Sequence, residues 1–214
     1  MANPRVWKNV KTTMQSALGA AITITAITKA NPGVATAAGH GLADGNIVFL
    51  ETVGMRQLDV MAVRVANKTA DTFELEGINT SLYDTFVSGS ARLITFGTDV
   101  VTIKELSAAG GDFEFIDYTT IHDDRKKEFP GLPTATKYTM SNVWDPTDPG
   151  LVAMKVASDA QERRAMCFQF GTGGLHMYFV GYVGSNNVPG GSAQQLVTSP
   201  SVITIHGNPA YYAS

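Results

Sequence analysis

Hydrophobic and polar residues alternate along most of the chain, and this pattern predicts a protein built mainly from short β-strands. The first group of strands lies within residues 20–95, where turn sequences such as Asn31-Pro32-Gly33 recur at intervals of about 8–12 residues. The predicted strands are 22–27, 34–37, 47–50, 61–66, 72–75 and 91–95. Short strands at this spacing are typical of a small barrel or sandwich, so we predict a self-contained all-β module here.

Residues 96–214 have the same alternation and predict a second β unit. Its predicted strands are 100–105, 113–118, 136–143, 165–170, 175–182, 196–197 and 202–206. The sequence Gly171-Thr172-Gly173-Gly174 favours a hairpin turn between two of them. Residues 121–133 are predicted to form a charged loop, and residues 207–214 a short tail.

One segment carries the period of an amphipathic helix. Asp148 is suited to the N-cap and Pro149 to the first helical position. The predicted polar face holds Lys155, Ser158, Asp159 and Glu162, and the apolar remainder holds Leu151, Val152, Met154 and Val156. We predict a single helix of about three to four turns.

Composition limits the classes of function. The chain has 214 residues, a net charge of −3 and only 16% charged residues, which is below the usual quarter or so. Low surface charge fits burial against a partner, and it equally fits a β-rich surface of Thr, Ser and Gly. The absence of a basic stripe argues against a sequence-reading DNA binder, although DNA could pass along a mildly acidic surface.

No catalytic or metal-binding signature is convincing, so we predict neither enzyme activity nor a cofactor. Cys167 is the only cysteine and is predicted to be a buried, inert thiol. His122-Asp123-Asp124 would need distant partners to bind a metal ion. The Gly171–Gly174 sequence lacks the continuation of a phosphate-binding loop, and no nucleophile-elbow sequence is present.

The N-terminal sequence lacks the apolar core of a signal peptide, and no segment approaches the length of a membrane helix. We therefore expect synthesis in a cytoplasm, solubility until assembly and no membrane insertion. Residues 1–19 have Trp7 as their one large apolar group. They fit either an arm that becomes ordered on assembly or a frayed terminus.

Residues 20–95 resemble a small β-barrel module of phage structural proteins, named after the first catalytic-cysteine half-domain of ubiquitin-activating enzymes. The resemblance is carried by the Gly39-His40-Gly41-Leu42 turn and the Thr72-Phe73-Glu74-Leu75 strand. This segment contains no cysteine, so the resemblance implies no catalysis.

Residues 96–214 resemble tail tube proteins of long, non-contractile (siphovirus-type) phage tails. The resemblance is carried by the order of several short motifs. They are Ile116-Asp117-Tyr118-Thr119-Thr120, the charged run from Asp123 to Lys127, Phe129-Pro130-Gly131-Leu132, the Asp145–Gly150 turn and the helix after it. It also implies that residues 10–18 are a displaced first strand. The tube domain would then be discontinuous, comprising residues 1–19 and 96–214, with residues 20–95 inserted.

The resemblance implies a fold and a function. The expected fold is a tail-tube β-sandwich or half-barrel with one flanking α-helix. The expected function is a structural subunit whose hexameric rings stack into a hollow tube that conducts genome DNA, without reading its sequence. Expected partners are further copies of the chain and the tape-measure, tail-tip and tail-terminator proteins, in a virion tail. Expected assembly residues are Trp7, Asp123, Asp124, Arg125, Lys126, Lys127, Glu128, Phe129, Tyr211 and Tyr212.

Two other classes of function stay open from the residues alone. One is a tail-completion, capsid-decoration or host-surface-binding virion protein, which would not form a long tube. The other is a hydrolase or adhesin module that shares only the β architecture. Polymerisation distinguishes the first from a tube protein, and turnover of a host polymer would reveal the second.

Overall fold

The structure is a computed structural model that describes residues 8–171 and 174–213. It is mainly β, with one α-helix and a large sheet curled into a half-barrel, as the sequence predicted. The strands of the described residues are β1 (Val10–Leu18), β2 (Ile22–Ile24), β3 (Ala26–Ile27), β4 (Gly33–Thr36), β5 (Ile47–Val53), β6 (Met61–Ala66), β7 (Thr72–Leu75), β8 (Ser88–Asp99), β9 (Ile103–Ala109), β10 (Phe113–Asp117), β11 (Glu128–Pro133), β12 (Lys137–Val143), β13 (Arg163–Phe170), β14 (Leu175–Ser185) and β15 (Thr198–Ala213). Helix α1 (Pro149–Asp159) precedes β13, and Arg56–Leu58 form a short 3₁₀ turn.

The main sheet has the order β3-β4-β7-β6-β5-β8-β1-β13-β14-β15-β12-β9, and β2 also pairs with β8. The predicted strand at residues 10–18 is present as β1, between β8 and β13. The chain leaves β1 at Leu18 and returns beside it at Ile94. Strand β8 is continuous across this point, since its first half pairs with β5 and its second half with β1.

Strands β13 and β14 contain consecutive apolar residues. Successive side chains of a strand point to opposite sides, so both faces of these strands are apolar. One face of β13 carries Ala165 and Cys167, which belong to a core shared with residues of the 20–95 segment such as Phe73 and Leu50. The other face carries Met166 and Phe168, inside the half-barrel. The middle of these two strands is therefore buried on both faces, and Cys167 is a buried free thiol as predicted.

Helix α1 begins as the sequence predicts. The Asp148 carboxylate accepts a hydrogen bond from the Leu151 main-chain nitrogen at 2.9 Å. The buried face of the helix consists of Gly150, Leu151, Met154 and Ala157. The prediction was wrong for Val152 and Val156, which are exposed. They lie one turn apart on the outer side, because the short Gly150 and Ala157 bring the opposite side of the helix against the sheet.

Three predicted boundaries are corrected by the structure. Residues 128–133, predicted as loop, form β11 and pair with β10. The predicted tail from Gly207 is part of β15, which continues to Ala213 beside β14. Strand β9 begins at Ile103, whereas Val100 is buried and donates from its main-chain nitrogen to Thr12. Each difference arises because the backbone pairs with a segment distant in sequence.

Candidate assembly surface

Residues 110–136 form a hairpin that projects from the main sheet, and we call it the hairpin arm. It contains β10 and β11, which make a two-stranded sheet of their own. Its base is closed by main-chain hydrogen bonds between Gly111 and Thr134 (3.0 Å) and between Thr134 and Asp112 (2.8 Å). Gly110 has a φ of +96°, and a Cβ there would lie 2.4 Å from the Ala135 carbonyl oxygen, so the turn into the arm requires glycine.

The arm exposes large apolar side chains. Ile121 is 97% exposed and Leu132 is 84% exposed. Five further apolar or aromatic residues of the arm are also exposed: Phe113, Phe115, Ile116, Tyr118 and Phe129. Large apolar side chains exposed together on one element indicate a surface that binds a partner. The charged loop was predicted from sequence as the assembly site, but these apolar residues beside it were not, apart from Phe129.

The charged loop at the end of the arm has an internal framework. The Asp123 carboxylate accepts hydrogen bonds from the Thr120 main-chain nitrogen at 2.9 Å and from its hydroxyl at 3.0 Å. Asp123 also forms an ion pair with Lys127, and Lys126 forms one with Glu128. The rings of Tyr118 and Phe129 lie 5.8 Å apart at the base of the loop. These contacts define the loop conformation within a single subunit.

The same contacts shift the pKa values of the loop. The Lys127 ammonium and then Thr120 hold the pKa of Asp123 below its ordinary value. The bond to Glu128 raises the pKa of Lys126, and hydrogen bonds from Thr119 lower the pKa of Asp117. All three groups therefore stay charged through the neutral range.

Asp124 and Arg125 differ from their neighbours. Both are exposed, and among the described residues neither has an ion-pair partner. Of the predicted charged cluster, these two residues alone present an unpaired carboxylate and an unpaired guanidinium to another molecule. Phe129, at the base of the loop, is about half exposed.

The remaining predicted assembly residues lie near the chain termini. Trp7 is outside the described residues. Tyr211 is 55% exposed, whereas its neighbour Tyr212 is 5% exposed. The Tyr212 hydroxyl accepts a hydrogen bond from the Arg64 main-chain nitrogen at 3.0 Å, so its contacts lie within the subunit.

The open side of the half-barrel is a second exposed feature. Strand β9 is the last strand of the sheet and has one described neighbour, β12. A cavity of about 870 Å³ separates β9 from β1, and its lining includes Val10, Val100, Leu106 and Met140. The outer edge of β9 therefore presents unpaired backbone groups that a strand of another chain can bind.

The described residues also bear on the requirements of metal-binding, thiol and membrane-spanning sites. No three His, Cys, Asp or Glu side chains of residues 8–171 and 174–213 are grouped to hold a metal ion. Burial raises the pKa of the Cys167 thiol, which disfavours the reactive thiolate. No described helix has the length and apolar character needed to cross a membrane.

A curled β-sheet with a projecting arm that exposes apolar side chains and an open strand edge is suited to self-assembly. The family model described as "Phage tail tube protein, TTP" matches residues 53–214, which is 162 of the 214 residues. The chain belongs to the phage tail tube protein family. It is a structural component of the virion tail that assembles with its own copies into a tube. A search of curated proteins found no match.

Proposed function

We propose that the chain forms hexameric rings that stack into the tube of a long, non-contractile phage tail. The observation that carries this proposal is the hairpin arm, because Ile121 and Leu132 are almost fully exposed in the single subunit and the aromatic residues of the arm are about half exposed. Exposing them would favour aggregation unless another copy covers them. Stacked rings cover the arm of every subunit except those at the end of the tube.

Lateral contacts close the ring in this proposal. The free edge of β9 pairs with the sheet of the neighbouring subunit, so that the half-barrels join into one continuous barrel around the lumen. Closure of this kind removes exposed strand edges, which are otherwise sites of uncontrolled association. A cyclic arrangement also ends the association at a fixed number of subunits.

Contacts between rings come from the arm. Its apolar residues supply buried area, while Asp124 and Arg125 supply charges that select the orientation of the next ring. The other charged residues of the loop, Asp123, Lys126, Lys127 and Glu128, maintain its shape. Trp7 and Tyr211 contribute to the same contacts from the chain termini.

The lumen of the tube conducts genome DNA without binding its sequence. A net charge of −3 supports this role, since a weakly acidic protein does not retain the phosphate backbone. The ends of the tube bind the tape-measure, tail-tip and tail-terminator proteins. Subunits are made in the host cytoplasm and become part of the virion tail.

Residues 20–95 form the inserted module on the outside of the tube, and residues 1–19 and 96–214 form the tube domain. The module clamps neighbouring subunits. Its shared core with Cys167 and Tyr178 supports a fixed orientation on the tube domain. Deleting it should weaken tubes, whereas intact tubes with reduced adsorption to host cells would favour a host-binding role.

Negative-stain electron microscopy of the purified protein at rising concentration tests the proposal. We expect rings with six-fold symmetry and hollow tubes above a threshold concentration. A variant with a short Gly-Ser linker in place of residues 112–134 should stay folded and form no stacks. Isolated rings or trimers of the unmodified protein that never stack would contradict the proposal and indicate a completion or decoration protein.

A further inference from the structure

A charged cavity lies where the module meets the tube domain. It has a volume of about 400 Å³, and we call it the seam pocket. It is lined by residues of β1, β5 and β8, and by the α1–β13 connection, the start of β13 and β14. The charged residues that line it are Glu51, Arg92, Glu162, Arg163 and Arg164.

Two of the three arginines lack an acidic partner. Arg164 forms an ion pair with Glu162 at 2.6 Å. Arg163 lies over the ring of Phe49, 5.9 Å from its centre. Arg92 is the cross-strand neighbour of Phe49, and its Nε atom is buried without a hydrogen-bond partner among the described residues. Neither Arg92 nor Arg163 forms an ion pair with any described residue.

The pocket therefore carries an excess of positive charge around an unsatisfied donor. Glu51 is the second acidic residue of the lining. Its carboxylate accepts a long hydrogen bond of 3.5 Å from the Ser90 hydroxyl. A buried guanidinium nitrogen without a partner carries a cost in free energy that an incoming oxyanion removes. Guanidinium groups bind planar carboxylates particularly well, because two parallel N–H donors match the two oxygens.

The register of the strands relates the pocket to the hairpin arm. Arg163, at the start of β13, is level with Ala109, at the end of β9, through the paired residues Tyr182, Thr204 and Lys137. Four antiparallel pairings separate β9 from β13, so the two strands run in the same direction. Strand β9 runs into the arm, and β13 runs away from the pocket in that same direction. In a head-to-tail stack along this direction, the arm of one subunit points toward the next subunit.

The end of the arm offers a suitable ligand. Asp124 is exposed and has no ion-pair partner among the described residues, whereas the neighbouring Asp123 is occupied by Lys127 and Thr120. We propose that the seam pocket is the receptor for the Asp124 carboxylate of a subunit in the adjacent ring, bound by Arg163 and Arg92. This inference rests on the proposed function. It adds a specific receptor site, which links the inserted module to the stacking of rings.

A charge exchange tests the pairing in the full-length protein. We expect Asp124→Lys and Arg163→Glu each to raise the threshold concentration for tube assembly about tenfold or more, as close charge pairs at an interface do. The double variant should return to within about threefold of the unmodified protein, because the pair is restored with its charges exchanged. Asp159→Lys, an equal change of charge at an exposed position at the end of helix α1, is the matched control and should have little effect, since only an exposed ion pair with Lys155 is lost.

Arg163 packs on Phe49, so thermal unfolding of each subunit must be measured alongside. If Arg163→Glu does not fold, Arg92→Gln replaces it and should raise the threshold in the same direction. Loss of assembly in Arg163→Glu but not in Asp124→Lys would overturn the pairing, as would a double variant no better than the single ones. Unchanged assembly in both single variants would overturn the inference and leave the tube function intact. If the unmodified protein forms no tubes, both the inference and the proposed tube function are contradicted.

Discussion

The guanidinium carbon of Arg64 lies 4.7 Å from the centre of the Tyr212 ring, and the Tyr212 hydroxyl accepts a hydrogen bond from the Arg64 main-chain nitrogen at 3.0 Å. Arg64 also forms an ion pair with Glu76 and donates from Nη1 to the Ala213 carbonyl oxygen at 2.6 Å. These contacts join strand β6 to the end of β15, 148 residues away in sequence. The C-terminal strand and β6 therefore stabilise one another.

Replacing Tyr212 should destabilise the subunit. We expect Tyr212→Ala to lower the free energy of unfolding by about 3–5 kcal/mol, because a buried aromatic ring is lost. Tyr212→Phe keeps the ring and should cost about 1 kcal/mol, since only the hydrogen bond is removed. Urea unfolding of the monomer measures both. Tyr211→Ala is the matched control, and an equal loss from this exposed neighbour would contradict the assignment.

The raised pKa of Tyr212 predicts that the stability of the subunit falls as the pH rises through the alkaline range. Burial raises the pKa of Tyr212 to about 12, above the value of about 10 for an exposed tyrosine. The folded chain keeps this proton where the unfolded chain has lost it, so its contribution is complete below pH 10 and is lost as the pH rises to 12. Burial also raises the pKa of Tyr178, which acts in the same direction.

In Tyr212→Phe the decline in unfolding free energy over this range should be less steep by about 1.4 kcal/mol per pH unit, because one proton no longer contributes. Urea unfolding at several pH values between 9 and 12 checks this. Parallel slopes for the unmodified protein and Tyr212→Phe would show that Tyr212 is not the titrating group.

The apolar residues of the arm should affect assembly and not folding. We expect Ile121→Ser combined with Leu132→Ser to leave thermal unfolding of the monomer unchanged and to raise the threshold for tube assembly, since both side chains are almost fully exposed in the subunit. Light scattering against concentration measures the threshold. Leu82→Ser is a control of similar exposure in the module. Unaltered assembly of the double variant would mean that the arm is not covered in the tube.

Reversing the unpaired cation of the charged loop should weaken stacking. Arg125→Glu places a negative charge beside Asp124, and we expect a higher assembly threshold with unchanged monomer stability. The difference from the unmodified protein should shrink as salt screens the exposed charges. Arg56→Glu, an exposed arginine of the module, provides the control. The interface role would be contradicted if the combined reversal of Arg125 and Lys126 still assembled normally.

Loss of the N-cap of helix α1 should lower the free energy of unfolding moderately. Asp148→Ala removes the acceptor of the Leu151 main-chain nitrogen, and it should lower the free energy of unfolding by about 1 kcal/mol. Asp145→Ala serves as the control, since its carboxylate accepts hydrogen bonds only within an exposed turn, and it should cost less than about 0.5 kcal/mol. A smaller effect from Asp148 than from Asp145 in urea unfolding would contradict the capping role.

Local patterns in the sequence determined the β-rich class, the position of most strands and the start of the helix. Strands β6 (Met61–Ala66) and β7 (Thr72–Leu75) were predicted with the bounds that they have in the structure, because alternation and flanking turns are local properties. The Asp148 cap was predicted for the same reason, since a cap needs only neighbours within one turn. The order of motifs after Ile116 also indicated the tail tube family.

Tertiary structure decided the features that depend on distant partners. Strand β11 and the end of β15 pair with segments that their own sequences do not specify, so they were predicted as loop and tail. Val152 and Val156 are apolar yet exposed, because the helix packs on the sheet through Leu151, Met154 and Ala157. The burial of Tyr212 beside the exposed Tyr211 depends on Arg64. No local pattern brings Arg92 and Arg163 to one pocket, because only the pairing of strands far apart in sequence makes them neighbours.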